Sequence, residues 1–220
     1  MCIRDRNRSA AAGLLESCDV DIIVSDDGLQ HYSLPRDIEI AVLDGERGLG
    51  NGLLLPAGPL REPVSRLHEV DWVIANYRPL GLVDNETVIK LEGEEFVGLA
   101  TGITFSLSEA LRKFPKINAV CGIGNPQRFL NSLSEIGFVV EHRIFRDHHD
   151  FKEVDLFFEN DHPIVCTEKD AIKIAQLDVP LANVFYLRVS VSMPEEGVDR
   201  LSDLLRQRKI EPANARQAKP

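Results

Sequence analysis

Strands predicted at Ile117–Gly122, Phe138–Phe145, Pro163–Cys166 and Val184–Val191 alternate with helix-patterned stretches, and this alternation constrains the fold more than any other feature. The helical stretches are Gln127–Ile136, closed by Gly137 as its C-cap, then Lys152–Glu159 and Glu168–Gln176. Asp150-x-x-Glu153 and Thr167-x-x-Asp170 have capping-box spacing. Runs apolar on both faces belong in a parallel sheet covered by helices. The β-α-β order calls for right-handed crossovers.

The first half repeats the pattern less clearly. Strands are predicted at Val20–Ser25, Ile38–Asp44 and Asp71–Asn76, with a short helix over Arg61–Val70 that tolerates Pro63 in its first turn. Thr87–Thr101 alternates around Gly93 and Glu94 and predicts an exposed hairpin or a pair of linker strands. A helix over Ser108–Phe114 is stopped by Pro115, and the polar stretch after Leu205 predicts a frayed end. Trp72 and the Phe157-Phe158 pair read as core. The expected division is a first α/β domain over 1–85, a β linker over 86–106 and a second, smaller α/β domain over 107–220.

Composition narrows the function. A net charge of −10 excludes a non-specific nucleic-acid binder, which needs a basic surface to displace counterions. It leaves room for a phosphorylated ligand held by a few local arginines. The four cysteines, Cys2, Cys18, Cys121 and Cys166, are scattered, form no C-x-x-C pair and read as unpaired thiols in a reducing compartment. No apolar run reaches the roughly 18 residues of a membrane span.

The unusual residues cluster after predicted strands, where open parallel sheets bind ligands. Asp26-Asp27-Gly28-Leu29-Gln30-His31 follows the first strand and Arg47-Gly48-Leu49-Gly50-Asn51-Gly52 the second. Gly124-Asn125-Pro126, Asp147-His148-His149-Asp150 and Thr167-Glu168-Lys169-Asp170 follow three strands of the second half. An acidic pair at a strand end suits Mg²⁺ beside a nucleotide, although Asp-Asp-Gly is also a favourable turn. The glycines of 48–52 match neither G-x-G-x-x-G nor the Walker A pattern and read as a flexible turn. Leu54–Glu62, stiffened by Pro56 and Pro59, presents Arg61 and Glu62 as phosphate contacts or as a surface ion pair. His148 and His149 could ligate a metal or move a proton, with Asp150 as a helix cap. Lys169 reads mainly as part of a helix start.

Taken in order, Asp26–His31, Arg36-Asp37-Ile38-Glu39-Ile40, Arg47–Gly52, Leu55-Pro56-Ala57-Gly58-Pro59-Leu60-Arg61-Glu62, Gly122–Pro126, Asp147-His148-His149 and Thr167–Asp170 resemble the blocks of tetraacyldisaccharide 4'-kinase from about position 20 to 190. The resemblance implies a P-loop NTPase-like parallel sheet plus the second domain. It also implies ATP-dependent phosphorylation of the 4'-hydroxyl of the lipid A disaccharide precursor, at the cytoplasmic face of the inner membrane. By similarity, Asp26 and Asp27 surround Mg²⁺–ATP, and Gln30, His31, Arg61 and Glu62 line the active site. His148 supports a catalytic carboxylate acting on the sugar hydroxyl.

Departures from the family are equally definite. No Gly-Lys-Ser/Thr occurs in the chain. The family's phosphate loop, its membrane-associated helix and the aspartate expected to be the base are expected upstream. Met1–Arg6 matches no block and reads as a spurious start on a truncated frame, and the incomplete sheet is expected to expose an edge and aggregate. The acidic doublet and His148 are expected to converge on one crevice. The alternative chemistry is a metal-dependent hydrolase using Asp26, Asp27, His31, His148 and His149 as ligands.

Overall fold

The computed structural model describes residues 3, 7–18 and 20–209; most of the Met1–Arg6 stretch, with Cys2, and the tail beyond 209 lie outside them. The chain forms two units, Met1–Lys90 with Met193–Pro220, and Leu91–Ser192.

In the first unit, α1 (Arg8–Glu16) precedes β1 (Ile40–Asp44), a 3₁₀ turn at Val64–His68, and β2 (Trp72–Asn76). β1 pairs parallel with β2, and β2 with the start of β3 (Glu86–Gly98). Alternate strand residues bury two faces. Ala41 and Val73 pack with Leu67 and Val70, while Trp72, Ile74 and Ile89 meet Met193 and Leu204. Leu204 belongs to α5 (Glu195–Lys209), a helix that the polar composition after Leu205 concealed. Its apolar contacts group Met193 onward with the first unit, whereas the sequence division placed all of 107–220 together.

Val20–Ser25 does not form the strand predicted for it. Val20, Ile22, Ile23 and Val24 are exposed, Val24 by 88%. Apolar β-branched residues make a strand only when a neighbouring strand accepts their backbone hydrogen bonds. Among the described strands, β1 pairs with β2 alone.

The second unit has strand order β3-β8-β7-β5-β6, with β4 (Thr104–Ser106) antiparallel to β3. Here β5 is Lys116–Cys121, β6 Val139–Ile144, β7 Ile164–Thr167 and β8 Val184–Ser192. β5 pairs parallel with both β6 and β7, and β7 with β8. Helices α2 (Leu107–Lys113) and α3 (Pro126–Ile136) contribute Ala110, Leu130 and Leu133 to a core with Ile117, Ala119 and Cys121. On the other strand face, Val120 and Cys166 pack against Ala171 and Ile174 of α4 (Glu168–Ile174). The fold is thus mixed α/β with a mostly parallel sheet. Cys121 and Cys166 are free thiols, and burial pushes Cys121 up to about 11, with the nearby Asp170 adding to the effect.

Further expectations change for local reasons. β3 continues through Gly93 instead of turning there. A Cβ at Gly93 would lie 3.1 Å from Leu187 Cδ1, so the glycine serves close strand packing. The helix expected over Lys152–Glu159 shrinks to a 3₁₀ turn at Glu153–Leu156. Asp155 is drawn instead to the Lys152 amide (2.8 Å) and the His149 ring (2.9 Å). Phe158 is buried as expected, but Phe157 is 64% exposed. Among the described residues, no helix is long and apolar enough to cross a membrane.

Candidate functional site

In the first unit the loop Asp26–His31 is locked from behind. Arg36 donates from Nη1 to the carbonyl oxygens of Gly28 and Leu29, both at 2.8 Å, and its Nη2 pairs with Glu39 Oε1 at 2.8 Å. Glu39 also pairs with Arg66 at 2.6 Å, and Arg66 reaches Glu62 at 3.3 Å. Glu62 accepts from Gln30 Nε2 at 3.1 Å, and Arg61 donates to Gln30 Oε1 at 3.3 Å. The circuit closes on the loop where it began. The Tyr32 hydroxyl is the main influence holding the Glu62 carboxyl below the usual range, with Gln30 and Arg66 helping.

The second wall of this region is a set of tight turns. Gly48, Gly50 and Gly52 all have positive φ, and their amides donate back to the carbonyls of Asp44, Arg47 and Leu49. The expected flexible turn is therefore an ordered one. At Gly58 a Cβ would lie 2.2 Å from Asn51 Oδ1 and 2.3 Å from the Leu53 carbonyl, so only glycine fits. That packing, with Asn51 Nδ2 donating to the Ala57 carbonyl at 2.9 Å, seats the segment that presents Arg61 and Glu62.

Thus Gln30, Arg61 and Glu62 come together as a contacting group. Asp26 and Asp27 are exposed at the head of the same loop, and His31 is half-buried with its amide on the Gly28 carbonyl at 2.9 Å. Asp27 sits at φ +50°, a left-handed conformation that aspartate tolerates better than most residues. Sequence reasoning missed Tyr32 and Arg66. Arg36 stood inside a noted block without a role.

In the second unit, three loops meet at the carboxyl ends of β5, β6 and β7. Lys169 Nζ pairs with Asp147 Oδ1 at 3.1 Å, holding the Asp147 carboxyl below its usual range, and Asp147 Oδ2 lies 3.9 Å from His148 Nε2. His148 has φ +59° and a side chain 75% exposed. His149 turns away from it. Its ring stacks on Phe145 with centroids 4.3 Å apart and bonds Asp155. Burial pushes the Asp155 carboxyl up, but the His149 ring and the Lys152 amide outweigh it and leave the group lowered.

These side chains bear on the metal question. Within either unit, no three His, Cys, Asp or Glu side chains among the described residues are grouped to hold a metal ion. Zinc needs three or four such ligands, and His149 is committed to Asp155. The hydrolase alternative has no support. Two exposed carboxylates without a third protein ligand are, however, the donor set that Mg²⁺ uses when phosphates complete its shell. Asp26 and Asp27 fit that ion.

A model of the family described as tetraacyldisaccharide-1-P 4'-kinase (LpxK) matches residues 1–207. The tetraacyldisaccharide 4'-kinase of Ruthia magnifica is 42% identical over 198 residues, covering 90% of this chain and 61% of that protein. That of Alcanivorax borkumensis is 43% identical over 183 residues, covering 83% and 54%. That of Vibrio cholerae is 43% identical over 208 residues, covering 92% and 59%. The chain spans between 54% and 61% of the length of these relatives. A crystal structure of LpxK from Aquifex aeolicus in complex with ATP superposes with a TM-score of 0.62 at 24% identity, covering 82% of this chain and 55% of that one. At that identity the shared property is the fold.

Proposed function

The chain belongs to the tetraacyldisaccharide-1-P 4'-kinase family, and from that premise we propose that it carries part of the machinery moving the ATP γ-phosphate to the 4'-hydroxyl of the tetraacyldisaccharide 1-phosphate precursor of lipid A. The observation that carries this reading is the Gln30–Arg61–Glu62 group, which ties the Asp26–Asp27 loop to a rigid segment. Phosphoryl transfer is catalysed mainly by positioning and electrostatics, so a rigidly backed pair of carboxylates suits it.

Asp26 and Asp27 would hold Mg²⁺, which when bound with ATP neutralises charge on the transferring phosphate. Arg61, which donates to Gln30, would offer a forked cation to phosphate oxygens. His31 borders the same loop. His148 would support the carboxylate base that takes the proton of the 4'-hydroxyl, leaving the sugar oxygen free to attack. The base itself is not among the matched blocks. The acceptor is a lipid, so the reaction belongs at a membrane surface, and the cytoplasmic face of the inner membrane fits the reading.

The test joins the present residues to the part of the Ruthia magnifica relative that they do not match. Radiolabelled ATP and the disaccharide 1-phosphate should yield the 4'-phosphorylated lipid. Asp27→Asn and His148→Ala should each lower the yield at least about a hundredfold. A folded chimera that binds ATP but makes no product would sink the proposal.

A further inference from the structure

Asp170 is buried completely, yet only one of its oxygens is used. Oδ2 accepts from the Gly122 amide at 2.9 Å and the Thr167 hydroxyl at 2.8 Å, while Oδ1 has no partner. Around it lie Cys121, Cys166 and the apolar core of α4. A buried carboxyl with an idle oxygen costs stability, and a helix cap does not need one, because the Thr167 hydroxyl already accepts the Asp170 amide at 3.2 Å. The helix-start reading of Thr167–Asp170 therefore leaves the carboxyl unexplained.

Its contacts lead to His148. The Gly122 residue held by Asp170 offers its carbonyl to the His148 amide at 3.2 Å. That same amide reaches Asp147 Oδ1 at 3.0 Å, the oxygen paired with Lys169. One helical turn on, Lys173 Nζ donates to the His149 carbonyl at 2.9 Å. Three residues of α4 thus hold the Asp147 side chain before His148, the carbonyl of His149 after it, and Gly122, the residue whose carbonyl accepts the His148 N–H. A left-handed histidine is strained and persists only when its surroundings over-determine it.

We propose that Lys169, Asp170 and Lys173 are positioning residues that hold His148 in its left-handed conformation and so fix where its imidazole projects. The proposal rests on the reading that His148 serves phosphoryl transfer. It assigns a function to the Thr167-Glu168-Lys169-Asp170 block, which touches no substrate in that reading.

Amide hydrogen exchange of the 220-residue chain at low micromolar concentration, resolved to single residues by fragmentation, tests the grip without ATP or turnover. The double variant Lys169→Met and Lys173→Met makes no cavity. It should speed exchange at His148 roughly tenfold, the worth of about one hydrogen bond, and leave the core amides of Leu133 and Val165 unchanged. Asp170→Ala should speed both Gly122 and His148. Asp170→Asn keeps an acceptor for Gly122 and should stay near the parent rate. The proposal is overturned if His148 exchange stays within twofold of the parent in the lysine variant, or if the core amides accelerate equally. Should Asp170→Ala not fold, the lysine variant decides alone. Since the readout is independent of catalysis, an inactive or active His148→Ala chimera bears on the reaction and leaves the grip to be judged by exchange.

Discussion

Gln30 and Glu62, 32 residues apart in sequence, meet through a 3.1 Å hydrogen bond, and that contact joins two loops flagged separately in the sequence. Behind it, Arg36 and Glu39 complete the circuit through Arg66. The circuit, more than any single pair, holds the acidic loop.

Arg36→Met should therefore be more disruptive than an ordinary surface change. It strips two carbonyls of their donor and leaves Glu39 with one cation fewer. The Arg36 and Glu39 side chains are each only 16% exposed. A loss of about 2 kcal/mol is expected from urea unfolding, with Lys recovering part because it reaches one carbonyl but cannot fork over two. A loss under about 0.5 kcal/mol would show that the circuit contributes nothing.

Acid should weaken the second unit through Asp155. Its folded pKa is lowered, so its contribution is present above the ordinary carboxylate value of about 3.9 and is lost as pH falls through the lower folded value. Melting temperature should drop below about pH 4, and Asp155→Asn should flatten that slope while destabilising the protein at neutral pH. An unchanged slope would mean that other carboxylates govern acid unfolding.

The chain in isolation should not phosphorylate the disaccharide. It contains no Gly-Lys-Ser/Thr to cradle the β- and γ-phosphates, and a site without those donors lacks most of its electrostatic stabilisation. The measurement is product formation above an Asp27→Ala control. Product above that control would contradict the expectation.

Aggregation should begin at the exposed apolar residues of the first unit. Val24 is 88% exposed and Val42, on β1, 63%. Light scattering should rise on warming, and Val24→Lys with Val42→Lys should delay its onset by several degrees. A parent chain that melts cooperatively as a monomer would argue the opposite.

Much of this was legible in the linear order of residues. The strand pattern of the second half located β5 to β8 to within a residue at each boundary; β5 and β7 are largely buried and apolar as inner strands of a covered sheet must be, while β6 carries Glu141, His142 and Arg143. Gly137 marked the end of α3, since its φ of +112° suits glycine alone. Loops after those strands were recognisable as candidate sites because connections at the carboxyl edge are free to carry polar residues. The run Val20–Ser25 misled, since an apolar run states a capacity to pair and cannot state whether a partner strand is present. Asp155 misled too, because its choice of the His149 ring over a helix depends on a neighbour brought by folding.

Local sequence thus determined the strands of the second half, the Thr167 and Gly137 caps and the identity of the acidic and imidazole groups, all of which follow from periodicity, burial and side-chain chemistry within a few residues. Tertiary structure alone decided that Gln30 meets Glu62, that Arg36 clamps the Gly28 and Leu29 carbonyls, and that Asp170 reaches Gly122 across 48 positions. Such contacts join residues distant in the chain and depend on register and packing. No short window of sequence contains them.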